Sequence, residues 1–481
     1  MLDVSIPAFY ILPLALAVLY VIRGKRSSLP LPPGPRGLPL VGNLLDWPFE
    51  AGWLKFAEWG KIFAGDIVHI EIFGMHIVIL NSYEAAQRLM SQALCSDRPP
   101  LAMVGELMGF NPSMVLSPYG EHWKAMRRAT QQSFSRTASA KLLPRQLKVA
   151  RMLLQQLLKT PREHVKCIRF ALGKNLIETT YGIPIETPQS EFFKLSREMH
   201  EVIQNAVVPG SFLVDVFPVL KHVPSWFPGA GFKRLALIAR SLQERVVEGA
   251  FSESKKLSVC GSLMFLDNTT HFSQAQGNAI ESVRICTWSS FNYHGSCLTC
   301  RVQTLSALST FVLMMAMHRD IQSKAQAELD RVVGTNRLPT FEDRKSLPYL
   351  EAIVKEVLRF NPPTPLGIAH RLSEDDSYSG YHLPKGSIVL SNIWAMSRSP
   401  HLYNDPSSFN PERYSTENGT PELDPTALVF GFGRRACLGT HYSLATLFIA
   451  MTSILTVFDI RARDENGADV EIVADFTGGM C

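Results

Sequence analysis

Phe430-Gly431-Phe432-Gly433-Arg434-Arg435-Ala436-Cys437-Leu438-Gly439 places one cysteine in a glycine-rich turn with two arginines just before it. An apolar run, 442–458, follows directly and reads as a helix. A thiolate stays ionised only in a positive setting, and arginines and a helix N-terminus supply one. Glycines let backbone amides approach the sulfur and donate hydrogen bonds to it. Cysteine thiolate is one of the axial ligands known for haem iron, the one that pushes electron density toward O–O cleavage. The competing reading is a buried cysteine behind a Gly-rich turn, and for a lone cysteine that reading wins.

Here Phe430, Gly433, Arg435, Cys437 and Gly439 fall together at the spacing F-x-x-G-x-R-x-C-x-G. The pattern resembles the haem-thiolate loop of the cytochrome P450 superfamily. The resemblance makes Cys437 the axial ligand of a haem b (iron protoporphyrin IX). Upstream, 120–128 looks helical, with Trp123 and Arg127 four apart on one face. An ordinary amphipathic helix with a snorkelling arginine fits the same residues. The W-x-x-x-R spacing is similar to that of the superfamily's third long helix, whose Trp and Arg grip a haem propionate. By the same resemblance Arg98 and His370 are further propionate contacts.

Residues 349–360, YLEAIVKEVLRF, put Glu356 and Arg359 three apart on one helix face. A solvated surface pair is the default for such a spacing and contributes little. The helix is strongly apolar elsewhere, and Asn361-Pro362-Pro363 follows it. Later stands Phe409-Asn410-Pro411-Glu412-Arg413-Tyr414. E-x-x-R, then P-E-R-Y, then the cysteine loop is similar to the superfamily's structural triad. That resemblance makes Glu356, Arg359 and Arg413 one buried ion cluster that holds the pocket and does no chemistry.

One expected motif is missing. The superfamily lays a long helix across the distal face of the haem, centred on [AG]-G-x-[DE]-T-[TS], whose acid and alcohol relay protons. Residues 274–283 suit that helix's start, and Thr304-Leu305-Ser306-Ala307-Leu308 suits its second half. Between them 284–303, RICTWSSFNYHGSCLTCRVQ, is rich in aromatics, Ser and Cys and has no helical period. Counting back from Thr304, Val302 and Gln303 stand where the acid and alcohol belong, and neither relays a proton. No catalytic residue is therefore assigned there beyond Thr304. Three readings of the segment compete. One is a metal site at Cys286, His294, Cys297 and Cys300, although zinc needs four ligands in fixed geometry and only one C-x-x-C occurs. A second is natural variation in which Thr304 or Ser306 organises water. A third is translated intron: Val283-Arg284 can be encoded with a GT donor and Gln303 by CAG.

The elements that position these groups begin with 6–22, an uncharged apolar run at the short end of the roughly 17–25 residues that span a bilayer. Arg23, Lys25 and Arg26 follow it, so the N-terminus should face the lumen and the body the cytosol. A cleaved signal peptide would carry its basic region before the apolar core, not after it. Residues 29–39, LPLPPGPRGLP, forbid helix and read as a stiff spacer, the Pro-rich hinge typical of the superfamily's microsomal members. Residues 67–73 and 76–81, with Gly74 between, read as a hairpin. Residues 138–253 are mostly helical by periodicity, carry no catalytic motif, and in the superfamily hold much of the substrate contact. The end of the chain, 470–481, resembles the start of the superfamily's last β-hairpin, and the lost returning strand should weaken the active-site end.

The 481 residues are 46% hydrophobic, ample for a large core. A net charge of +5 is too small to argue for nucleic acid. The 8 cysteines have no disulfide-framework spacing, as suits a reducing compartment. A cytosolic body leaves the sequons at Asn268 and Asn418 unmodified. The division is thus an anchor at 1–22, a basic and Pro-rich hinge at 23–39, and a haem domain at 40–481. The resemblance implies a mainly α fold with small β-sheets and haem between a distal and a proximal helix. It implies a microsomal monooxygenase of the endoplasmic reticulum, acting on an apolar small molecule. The loop and helix style is most similar to fungal members of secondary metabolism. NADPH would supply electrons through a flavoprotein reductase, docked at a basic face including Lys124, Arg128 and Arg434. Two other classes stay open. One is a haem-binding but inactive product, or an O₂-independent haem-thiolate isomerase or dehydratase. The other is a tethered binding protein without haem.

Overall fold

The computed structural model describes residues 29–206, 211–259, 303–415, 419–464, 468–472, 474 and 476. The apolar run 6–22, Cys286, His294, Cys297, Cys300, Val302 and both sequon asparagines lie outside the described residues. The longer helices are α1 (Gly52–Ile62), α2 (Tyr83–Met90), α3 (Glu121–Phe134), α4 (Leu143–Lys159), α5 (His164–Tyr181) and α6 (Glu191–Ala206). They continue with α7 (Gly231–Val259), α8 (Gln303–Met317), α9 (Arg319–Val332), α10 (Pro348–Phe360) and α11 (Thr440–Val457). The strands are β1 (Ile67–Ile72), β2 (Met75–Leu80), β3 (His370–Arg371), β4 (Asp376–Tyr378), β5 (Tyr381–Leu383) and β6 (Ile388–Ser391). Helices dominate and the sheets are small, as the fold expectation requires.

The β-branched runs at 67–73 and 76–81 form a hairpin whose register pairs Ile67 with Leu80 and Ile72 with Met75. Gly74 turns it at φ +79, a left-handed conformation that glycine adopts without a Cβ clash. β2 then pairs in parallel with β6, and β6 antiparallel with β3, giving the order β1-β2-β6-β3. This pairing brings His370 to the inner edge of the sheet, beside Val389.

The Pro-rich run is extended, as proline density dictates, but it is no free spacer. The His69 amide donates to the Pro33 carbonyl at 2.9 Å and the His382 amide to the Pro30 carbonyl at 2.7 Å. A Cβ on Gly34 would stand 1.9 Å from the His69 carbonyl oxygen, so only glycine lets the two backbones approach. The chain is therefore pinned to the body from residue 30 onward. Proline lacks an amide but keeps its carbonyl, and those acceptors make the attachment.

α11 is apolar on every side, and such a helix belongs inside a core. It is the one described helix long and apolar enough to cross a membrane, yet most of it is buried. α8, α9, α10 and α4 pack around it, with Phe311, Val357, Leu329 and Phe448 at the centre. α10 stops at Asn361 because Pro362 disfavours helix in the residue before it. The Asn361 side-chain amide then donates to the Thr310 hydroxyl at 2.9 Å, fixing the end of α10 against α8.

Candidate functional site

One cavity lies between α8, α3 and the cysteine loop, enclosing about 1310 Å³ of space with its mouth included. Cys437 lines it, and so do Phe430, Gly431, Phe432 and Leu438 of the same loop. The loop's shape follows from its glycines. Gly431 has φ +76 and Gly433 φ +56. A Cβ at Gly433 would approach the Met90 carbonyl oxygen to 2.4 Å, so the loop can seat against the end of α2 only with glycine there. The Cys437 amide closes the bend by donating to the Phe430 carbonyl at 2.7 Å. Gly439 has an ordinary backbone conformation at the N-cap of α11 (φ −81) and lines the cavity. Cys437 thus sits three residues before a long helix, in the field of its N-terminus.

Arg435 turns back from the loop and is anchored on carbonyls. It donates to Ser96 at 2.8 Å, Met114 at 3.0 Å and Ser117 at 2.8 Å, and its guanidinium stacks 4.2 Å from the Trp123 ring centre. Arg98 does likewise, donating to Val115 at 2.9 Å, Ile368 at 2.9 Å and Ala369 at 2.7 Å. Burial pulls Arg98 down to about 9 and Arg435 to about 10, both still charged at neutral pH. Trp123 is buried, and its indole N–H donates to Met114 at 3.1 Å. A buried indole must satisfy its one donor, and it does so on the wall rather than in the cavity. The Met114 carbonyl, shared by Trp123 and Arg435, carries no signal in the sequence.

Arg127 lies one turn along α3, its guanidinium 5.7 Å from the Trp123 ring centre, so the four-residue spacing does put them on one face. It lines the cavity and has no hydrogen-bond acceptor among the described residues. Burial lowers its pKa, and the electrostatic attraction of Cys437 opposes that fall. His370 also lines the cavity, 4% exposed, with Nδ1 2.6 Å from the Cys95 carbonyl. Burial, then Arg98 and Arg435, hold it well below the ordinary histidine value, so the ring is neutral.

The structure also brings together Glu356, Arg359 and Arg413, which sequence separates by 57 positions. Glu356 and Arg359 are wholly buried and Arg413 nearly so. Arg359 binds the carboxylate twice, at 2.8 and 2.7 Å, and Arg413 binds it at 3.2 Å. The Asn410 amide and Tyr414 hydroxyl donate to the same carboxylate, and Arg359 satisfies the carbonyls of Ser397, Pro406 and Ser408. None of the three lines the cavity.

The first turn of α8 forms another wall, through Gln303, Thr304 and Ala307. Gln303 presents an amide where a proton-passing hydroxyl is expected. Val302 is outside the described residues. A π-helical segment, Ala102–Leu107, which sequence reasoning passes over, leads into the loop that carries Met114 and Val115. Asp215 of the short helix Leu213–Val216 accepts from the Met103 amide at 2.8 Å, and Lys221 pairs with Glu106 at 2.7 Å. Met114 and Val115, on the loop after the π segment, line the cavity.

These residues fit a haem. A cysteine, apolar walls and a corner with three guanidiniums suit an iron macrocycle that carries two carboxylates. Among the described residues the anion at that corner is Asp97, already bonded to Arg371 at 2.8 Å. A buried excess of positive charge needs an anionic ligand.

The comparisons agree with this geometry. The family model described as Cytochrome P450 matches residues 32–472. The chain is similar to "Cytochrome P450 monooxygenase 98" of Postia placenta, at 38% identity over 96% of this chain and 89% of the relative. It is 38% identical to "Cytochrome P450 monooxygenase claR" of Ampulloclitocybe clavipes, over 96% of this chain and 85% of the relative. It is 37% identical to the "Tryptamine 4-monooxygenase" of Psilocybe cyanescens, over 95% of this chain and 91% of the relative.

Proposed function

The chain belongs to the cytochrome P450 family, and on that premise we propose that it is a haem b monooxygenase of fungal-type secondary metabolism acting on an apolar small molecule. The observation that carries the reading is Cys437, set in a glycine bend at the foot of α11 and facing a cavity with a cationic corner. Bound haem would supply the means to activate O₂ and place one of its atoms in the substrate. The rest is the work of the chain's own residues. Cys437 would hold the iron as thiolate, a form that the N-terminus of α11 would favour. Arg127 would bind a propionate directly. Arg98 and Arg435, fixed on carbonyls, act as stationary positive charge. Met114, Val115, Ala307 and Ile368 make an apolar wall that excludes water from the substrate side.

NADPH would supply electrons through a flavoprotein reductase. Lys124, Arg128 and Arg434 stand on the surface near the thiolate loop. Arg128 and Arg434 are exposed, while Lys124 is ion-paired with Glu121 at 2.7 Å. Such a basic face steers an acidic partner. The apolar run 6–22 would anchor the chain in the endoplasmic reticulum membrane with the body in the cytosol.

A second reading rests on Gln303. An amide donates a hydrogen bond but does not release its proton, so this cavity wall favours poor coupling of oxygen, an inactive product, or an O₂-independent isomerase or dehydratase. The test begins with the carbon monoxide difference spectrum of the reduced full-length protein. The expected outcome is the red-shifted Soret band of a thiolate-bound haem, lost in Cys437→Ala. A Cys437→Ala protein whose spectrum is unchanged overturns the assignment. Turnover with reductase, measured against peroxide release, then separates the two readings. Weak coupling, improved by restoring a Gly-x-Asp-Thr centre, is expected; tight coupling in the unaltered chain excludes the second reading.

A further inference from the structure

At the cationic corner the geometry fixes the tautomer of His370. Its Nδ1 lies 2.6 Å from the Cys95 carbonyl. A carbonyl only accepts, so Nδ1 carries the ring's proton. In the neutral ring Nε2 is then a bare lone pair, and the side chain lines the cavity. The charged groups facing the ring all oppose a second proton. Arg98 comes from the strand-like stretch beside β3, and Arg435 from the cysteine loop. The Cys95 thiol, pushed up to about 12 by burial, stays neutral. Arg371, next in sequence, is turned to Asp97 and leaves the ring alone.

A carboxylate entering this corner therefore meets guanidiniums that carbonyls hold in place, and beside them, at His370, a lone pair. Oxygen and nitrogen lone pairs repel unless a proton lies between them. The arriving negative charge is what the ring lacks, because an opposite charge at contact distance favours the protonated imidazole. We propose that the propionate contact the resemblance assigns to His370 is made through a proton taken up when the haem binds. The haem site is thereby proton-linked: one H⁺ enters from solvent, Nε2 becomes a donor, and the propionate accepts. His370 is a positioning residue, acting on the haem's carboxylate and not on substrate. The inference rests on the haem-thiolate reading above and deepens it.

Linkage gives the sign. The haem-bound state holds one more proton than the haem-free state, so retention strengthens as pH falls and weakens as pH rises through the bound-state pKa of His370. The slope is one proton, up to tenfold in retention per pH unit. Protonation of the Cys437 thiolate acts in the opposite direction, loosening haem at low pH, so the two are separable by sign.

The experiment is haem transfer from the full-length holoprotein to excess apomyoglobin, followed from about pH 6.5 to 9.5. The expected result is release that accelerates with pH at a slope approaching one proton. His370→Gln, neutral with no proton to exchange over this range, should release haem faster at the low end and show no slope. His370→Lys, cationic until well above neutral pH, should show no slope at least up to about pH 9. A flat profile in the unaltered protein, or a slope that survives in His370→Gln, overturns the proposal. The carbon monoxide spectrum keeps the two failures apart. If the thiolate band is absent, the haem-thiolate reading falls; if the band is present and the profile flat, only the proton linkage falls.

Discussion

At the scale of single residues, the site depends on charges whose partners were chosen by burial. Glu356 is wholly inside the protein and holds two arginines there. Taking charges out of water costs several kcal/mol per ion, and the pairing offsets that cost only while every partner is present. Glu356→Gln keeps the shape and removes the charge, stranding Arg359 and Arg413 in a low dielectric. Urea unfolding should show a loss of about 3–5 kcal/mol. Replacing the exposed Glu121, paired with Lys124 at the surface, should leave the urea midpoint nearly unchanged, because solvent screens that pair. The contrast comes from solvent, since both are three-residue helical pairs. The motif E-x-x-R was legible in the chain, but burial, which decides its weight, was not.

At the scale of elements, the cavity is bounded by pieces that meet only in three dimensions. The π segment Ala102–Leu107 is held at its first turn by Asp215, more than a hundred residues later. Val214 and Leu220 pack with Ala102, Met103 and Val104 beneath this clasp, and Lys221–Glu106 closes its outer side. A helix start has unsatisfied amides, and a carboxylate is a good acceptor for them. Burial nonetheless raises the Asp215 pKa, opposed by the amide donors. Asp215→Ala should cost about 1–3 kcal/mol locally, the range for leaving buried donors unpaired. Hydrogen exchange at Ala102 and Met103 should accelerate in that variant while exchange in α11 stays unchanged. No periodicity or motif in 102–107 or 213–216 announces this contact.

For the whole molecule, the fold is stitched by histidines at the place where the N-terminal run joins the sheet. His69 and His76 face each other across the hairpin with Nε2 and Nδ1 2.9 Å apart, and one ring must be an acceptor there. Burial first, then the neighbouring His76, lowers His69 to about 4. The unfolded chain would bind a proton at His69 near pH 6.5, and the folded chain resists it down to about 4. Stability is therefore full above the unfolded value and falls as pH drops from 6.5 toward 4. The loss from this residue is up to about 3 kcal/mol. Thermal unfolding of the full-length protein across that window should show the fall. His69→Gln, which cannot charge, should flatten it.

By itself the sequence determined the chemistry: a cysteine loop whose glycines and arginines leave little else to be, an E-x-x-R helix, a hairpin, and a proline run that cannot be helical. Those features are local, set by backbone sterics and the 2- and 3.6-residue periods, so they can be read along the chain. The tertiary structure decided what each charge does. Arg98 and Arg435 are anchored by three carbonyl bonds each, and Trp123 turns its indole N–H into the wall. Arg127 keeps its donors for the cavity, and His370 keeps a lone pair there. Which donor remains available depends on carbonyls that come from distant loops, and an identical backbone group at every position leaves no mark in the sequence.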